Sequence, residues 1–89
     1  MNADTFHKMV TDEGFNEPVM VTRDPNGFID THEHPFEAKA LILDGQIEIG
    51  LDSDARVYRP GDVFHLAMSE SHWERYGPAG VVYLSARKE

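Results

Sequence analysis

His32 and His34 stand two residues apart in the stretch His32-Glu33-His34-Pro35-Phe36-Glu37, with Lys39 just beyond. On an extended chain, residues two apart point to one face. Two imidazoles side by side can hold one divalent ion at about 2.0–2.1 Å per bond. The same pair is also what two half-exposed histidines beside a turn look like. His-x-His opens the first barrel strand of amidohydrolases as well, but 89 residues are too few for a (β/α)8 barrel. His72 adds a third imidazole, and Glu74, two residues on, shares its face. Three histidines and a carboxylate on facing strands make an octahedral site with open positions. The remaining two histidines read as surface. His7 has no acid or histidine at ligand spacing on its helix, and His65 points away from the face shared by Phe64 and Leu66.

Composition narrows what such a site can be. There is no cysteine, which excludes disulfides, thiolate ligands and cysteine nucleophiles. A metal would have to be held by histidine, carboxylate or water. The net charge of −8 repels phosphate backbones and anionic lipid, so nucleic acid and membrane surfaces are poor partners. No apolar run approaches the roughly 20 residues that span a bilayer. Met1 to Val10 lacks the apolar segment of a secretory signal, so a cytoplasmic location is expected. A chain of 89 residues reads as one domain, 1–89, with a small core that a homodimer would extend.

The elements that must position the histidines follow from periodicity. A helical segment is expected over 1–16. Asp4 is its N-cap, Phe6, Met9 and Val10 fall on one face, and Gly14 ends it. After Pro18 the period becomes two, and a barrel is expected over 17–86 with a short tail at 87–89. Val19 to Thr22 is a strand, and Arg23-Asp24-Pro25-Asn26-Gly27 is a turn. Phe28 to His34 is extended. Phe36 to Leu43 and Gln46 to Leu51 form a hairpin through Asp44-Gly45. Asp52-Ser53-Asp54 turns the chain, and Ala55 to Tyr58 and Val63 to Leu66 are strands. Ser71 to Tyr76 and Val81 to Ala86 follow, separated by a turn at Gly77-Pro78-Ala79-Gly80. One short N-terminal helix and seven or eight short strands predict an all-β antiparallel barrel.

The pattern Gly27-x4-His32-x-His34, followed by Ala40-Leu41-Ile42-Leu43-x-Gly45, resembles the first motif of the cupin family. Pro60-Gly61-Asp62-Val63-Phe64-x-Leu66 with His72 beyond resembles the second. The resemblance spans about Gly27 to Tyr83. The run from His32 to Leu41 is similar to a subgroup of small single-domain cupins of unassigned function. It implies a jelly-roll barrel, commonly dimeric, and a divalent metal held by two histidines and a glutamate of the first motif and one histidine of the second. By position, His32, His34 and His72 match three ligands. The glutamate falls five residues after the second histidine, and Lys39 stands there, an ammonium with no lone pair. Glu37 and Glu74 are the candidate replacements, and Glu37 needs a break in alternation near Pro35. The usual Pro-x-Gly before the last histidine is replaced by Ala67 and Ser69.

If Lys39 faces inward it needs an acid, Glu37 or Glu74, because an unpaired buried ammonium costs several kcal/mol. The inward side chains predict the cavity wall: Leu41, Leu43, Phe64 and Leu66, with Tyr76 and Tyr83 as polar handles. Phe36, Ala38, Ala40 and Ile42 would then form an outer apolar face that a second subunit or the helix covers, with Trp73 and Arg75 on the dimer interface. Two readings stay open. In one, a divalent transition metal (Fe, Mn, Ni or Zn) binds the cluster and serves dioxygenase- or isomerase-like chemistry on a small polar substrate. In the other, a metal-free barrel binds or senses a small molecule, with Lys39 supplying charge.

Overall fold

The computed structural model describes residues 1–52 and 54–89. Its one helix, α1 (Ala3–Asp12), precedes six strands: β1 (Val19–Arg23), β2 (Phe28–His32), β3 (Glu37–Leu51), β4 (Asp54–Tyr58), β5 (Val63–Leu66) and β6 (His72–Lys88). The turn expected at Asp52-Ser53-Asp54 has its central residue outside the described residues.

Two long strands organise the barrel. β3 and β6 pair antiparallel from Glu37 with Lys88 to Gly50 with Trp73. The first half of β3 also pairs β5, and its second half pairs β4. The second half of β6 pairs β1, and its first half pairs β2. The result is two four-stranded layers, β1-β6-β3-β5 and β2-β6-β3-β4, that share their central pair. Every pairing is antiparallel.

The hairpin expected at Asp44-Gly45 is not a hairpin. β3 runs straight through it, because the strand partner lies on β6 rather than on β3 itself. Two register shifts mark the place: Leu43 is an extra residue between the Ile42–Tyr83 and Asp44–Val82 pairs, and residues 77–80 are extra on β6 opposite Gln46. Gly45 takes φ +71, and a Cβ there would sit 2.1 Å from the carbonyl oxygen of Gly80. Asp44 Oδ1 accepts from the Gly45 N–H at 3.0 Å. Bulge and turn use the same left-handed backbone, so the local signal is identical. The turn expected at 77–80 is likewise an excursion within β6. The strands bend together here, which carries one ribbon from the first layer to the second.

The core lies between the layers. Ala38, Ala40, Ile42, Ile47, Ile49, Phe64, Leu66, Tyr76, Val81 and Tyr83 form it. A second cluster, Phe6, Val10, Phe15, Leu41 and Ala86, sits outside the barrel under α1, with Leu43 packed against it. Phe6 and Val10 have no exposed surface. Burying each contributes about 1.5–3 kcal/mol to seating the helix. These placements reverse the expected facing of β3. Leu41 and Leu43 do not line the cavity; they meet the helix. Phe36 lines the cavity, and Ala38, Ala40 and Ile42 point into the barrel. The apolar face from which a dimer was expected is therefore interior. Exposed apolar surface lies instead at Val19 and Met20 on edge strand β1 and at Phe28. Trp73 and Arg75 are on the outer surface of β6, where Arg75 lies over Phe28 and Trp73 and pairs Glu48 at 3.2 Å.

The N-cap is Asn2, whose side chain accepts from the Thr5 N–H at 2.8 Å, and Asp4 sits in the first turn where its charge suits the dipole. Gly14 follows the helix at φ +86 as expected. The last turn of α1 holds no basic residue. The barrel supplies two: Lys39 pairs Glu13 at 2.7 Å, and Lys88 donates to the Glu13 carbonyl at 2.9 Å. The tail expected at 87–89 is thus mostly strand, since β6 is paired as far as Lys88. Among the described residues, no helix is long and apolar enough to cross a membrane.

Candidate functional site

A bulge in β2 sets the site. Ile29 pairs Glu74 and His32 pairs His72, so two residues of β2, Asp30 and Thr31, oppose Trp73 alone. The Asp30 carboxylate accepts from the Thr31 N–H at 2.7 Å and holds the bulge. The extra residue lets Ile29 and His32, three apart, both face inward. His72 and Glu74 follow by ordinary alternation on β6. His34 sits just past the end of β2, and its carbonyl accepts from the Ser69 N–H at 2.8 Å. Ser69 takes φ +60 where the motif has glycine, so the loop before His72 keeps the left-handed residue without the usual Pro-x-Gly.

His32, His34, His72 and Glu74 each offer a ligand atom, and these atoms lie within 4.8 Å of one another. His72 and Glu74 are buried, and the other two are half-buried. The rings of His32 and His72 are 4.3 Å apart, and His34 lies 5.0 Å and 4.9 Å from them. His32 Nδ1 donates to the Asp30 carbonyl at 2.8 Å, and His72 Nδ1 donates to the Glu70 carbonyl at 3.0 Å. A carbonyl only accepts, so both rings carry a proton on Nδ1 and turn Nε2 inward, where the neutral ring offers a lone pair and the protonated ring a donor. Both Nε2 atoms face the same Oε2 of Glu74, each at 3.3 Å. Tyr76 donates to the other oxygen, Oε1, at 3.2 Å.

The electrostatics follow from that convergence. Burial pushes Glu74 up and is the largest influence, but its bonds to His72 and Tyr76 and the nearby His72 and His32 together hold the carboxyl below its ordinary range. Burial alone would lower His72, and its bonds to Glu74 and the Glu70 carbonyl raise it instead. His34 is lowered, first by burial and then by the neighbouring His72 and His32. Burial and the Glu74 charge push the Tyr76 and Tyr83 hydroxyls up, so both stay protonated donors.

The donors fit a divalent metal. Two ligands bound at about 2.1 Å to one tetrahedral or octahedral ion lie about 3.0–3.4 Å apart when adjacent. The two 3.3 Å spacings at Glu74 fall in that range.

Of the two candidate carboxylates, Glu74 joins the histidines and Glu37 does not. Glu37 is on the outer face, where His65 Nε2 meets it at 2.6 Å and holds its pKa down. Lys39 also faces outward, and its partner is Glu13 rather than Glu37 or Glu74. The cavity beside the cluster has a volume of about 340 Å³. Phe64, Leu66 and Tyr83 line it, as do Val21, Ile29, Phe36 and Ala38. Tyr76 touches the cavity only through Glu74. Arg23, Arg87 and Ser85 complete the wall. Sequence reading missed the two arginines by placing one in a turn and the other in a tail. The period of two carried on from Tyr83 through Ser85 reaches Arg87.

No family model matches the sequence, and no curated protein does. Solved structures do. An RmlC-like cupin from Shewanella frigidimarina matches with a TM-score of 0.69 and 18% identity over 80% of this chain. KdgF from a Halomonas species matches with a TM-score of 0.68 and 21% identity over 82%. The DMSP lyase DddQ from Ruegeria pomeroyi matches with a TM-score of 0.73 and 22% identity over 82%. The chain spans 63%, 69% and 38% of the lengths of these three proteins. These likenesses are of fold, and on them the protein has the cupin fold.

Proposed function

We propose that this protein binds one divalent transition metal (Fe, Mn, Ni or Zn) through His32, His34, His72 and Glu74, and acts on a small polar substrate beside it. One observation carries the reading. Two Nε2 atoms and a carboxylate oxygen converge at 3.3 Å, with the Nδ1 protons of both rings committed to backbone carbonyls on the far side. With both rings neutral these are three acceptors facing one another, and they repel unless a proton or a metal cation lies between them. A bound metal would supply Lewis-acid or redox chemistry, of the sort dioxygenases and isomerases use. The chain's own residues do the rest. The Asp30 and Glu70 carbonyls fix the ring orientations, Tyr76 fixes the carboxylate, and the apolar wall keeps bulk water off the cluster.

The metal-free alternative relied on Lys39 for its charge. With Lys39 outside the barrel, that reading loses its cation. A homodimer remains part of the proposal, with Val19 and Met20 on β1 as the apolar surface it would cover; sedimentation equilibrium tests it.

The test of the metal site is metal analysis of protein purified without a His tag or chelator, then loaded. About one equivalent per chain is expected, and His72→Ala should abolish it; less than about a tenth of an equivalent after loading overturns the reading.

A further inference from the structure

The cavity beside the cluster reverses the charge of the rest of the molecule. The chain carries a net −8, yet the residues lining this cavity include two arginines, Arg23 and Arg87, against one carboxylate, Glu74. That carboxylate is already engaged by His32, His72 and Tyr76. Among the described residues, neither arginine forms an ion pair, whereas Lys8, Lys39 and Arg75 each do. A divalent ion in the cluster would add two more positive charges to the same space.

Both arginines line the cavity while keeping exposed surface of their own. Arg87 lies over the Phe36 ring at 4.3 Å from its centroid. Phe36 in turn stacks on His34 at 4.8 Å with the rings 4° from parallel. A guanidinium held over an aromatic ring keeps N–H groups free, and these match a carboxylate with two parallel bonds. Arg23, on β1, lines the same cavity together with Glu74 and Tyr83.

The rest of the wall limits what can sit there. Val21, Ile29, Phe36, Ala38, Phe64 and Leu66 are apolar. A cavity of about 340 Å³ holds roughly ten non-hydrogen atoms at the volume each takes in a liquid. An inorganic phosphate would leave the apolar wall uncovered. Nor does the wall offer the cluster of backbone N–H groups with which phosphate sites are built, since α1 lies outside the barrel. We propose that the ligand of this cavity is a small organic carboxylate, its carboxylate held by Arg87 with Arg23 as the second cation, its carbon body on the apolar wall and an oxygen donor turned to the histidine cluster. This deepens the metal reading and rests on it only for the last contact.

Titration calorimetry with lactate, with its neutral amide lactamide and with inorganic phosphate tests the assignment, run on metal-free and Zn2+-loaded protein. Lactate should bind about tenfold more tightly than lactamide, the scale of one charge-assisted bidentate pair. Arg87→Met should bring that ratio close to one, Arg23→Met should lower it, and both should still take up Zn2+. Zn2+ uptake is measured separately, so its failure sinks the metal reading alone. A lactate-to-lactamide ratio near one in the Zn2+-loaded protein overturns the carboxylate assignment, as does the same ratio in the metal-free protein should Zn2+ not bind. Phosphate binding more tightly than lactate, or a ratio unchanged in Arg87→Met, overturns it too.

Discussion

Lys39 Nζ lies 2.7 Å from Oε1 of Glu13, joining the third strand to the end of the helix on the outside of the barrel. The pair is partly exposed, with side chains at 21% and 41%. Its electrostatic share is therefore modest, about 0.2–1 kcal/mol. Lys39→Glu should destabilise the protein by about 1 kcal/mol, through like charge against Glu13, and leave metal affinity within about twofold of wild type. Parallel urea and metal titrations check both. A sharp gain in metal affinity would mean that position 39 turns inward.

Leu41 and Phe64 are both buried, in different clusters. Leu41→Ala should cost about 2–5 kcal/mol by opening a void under α1, while ligand binding stays intact in the fraction that folds. Phe64→Ala should cost about 3–5 kcal/mol and also weaken ligand binding, because Phe64 lines the cavity. Denaturant midpoints paired with calorimetry separate the two effects.

In metal-free protein, His72 is raised above its ordinary 6.5 and Glu74 is lowered below its ordinary 4.5. The His72 contribution to stability is full below about pH 6.5 and fades as pH rises through the raised pKa. The Glu74 contribution is full above about pH 4.5 and fades as pH falls through the depressed value. The pair stabilises most between these limits. His34 works the other way, since its lowered pKa costs stability as pH falls below about 6.5. Comparison with His72→Gln isolates the pair. With a chelator present, wild type should exceed His72→Gln by more at about pH 5.5 than at about pH 8. Bound metal should reverse that trend, because it competes with the proton for Nε2.

Gly45→Ala should destabilise the barrel by about 2–4 kcal/mol. The new Cβ meets the Gly80 carbonyl, and φ +71 disfavours alanine. Thermal melts measure the loss; a melting temperature unchanged from wild type would show that the bulge relaxes freely.

The three histidines were legible because their spacing is local and their types are rare. The parity of β3 was not. From His34 through Phe36, Ala38, Ala40 and Ile42, alternation runs unbroken into the barrel. The expected facing assumed a break near Pro35, and a one-residue slip turns every later side chain to the wrong side. That single slip misplaced Lys39, Leu41 and Leu43 together. The bulge that does exist lies in β2, at Asp30 and Thr31, where no glycine or proline announces it. Asp44-Gly45 and residues 77–80 were seen as special positions, but only the partner strand decides whether such a position turns the chain or bends it. The helix and the short strands β1, β4 and β5 followed from periodicity, with ends shifted by a residue or two.

The long β3–β6 ribbon also governs how the site breathes. His72, Glu74, Ser85 and Arg87 all ride on β6, and β6 is paired along both halves. Its amides should be the slowest in the molecule to exchange with deuterium, because freeing them means opening both layers at once. Metal and ligand then come and go without local unfolding of the floor. Their residence times are set by side chains at the mouth, and a filled site should slow hydrogen exchange along β6, because the opening that frees these amides also dismantles the site.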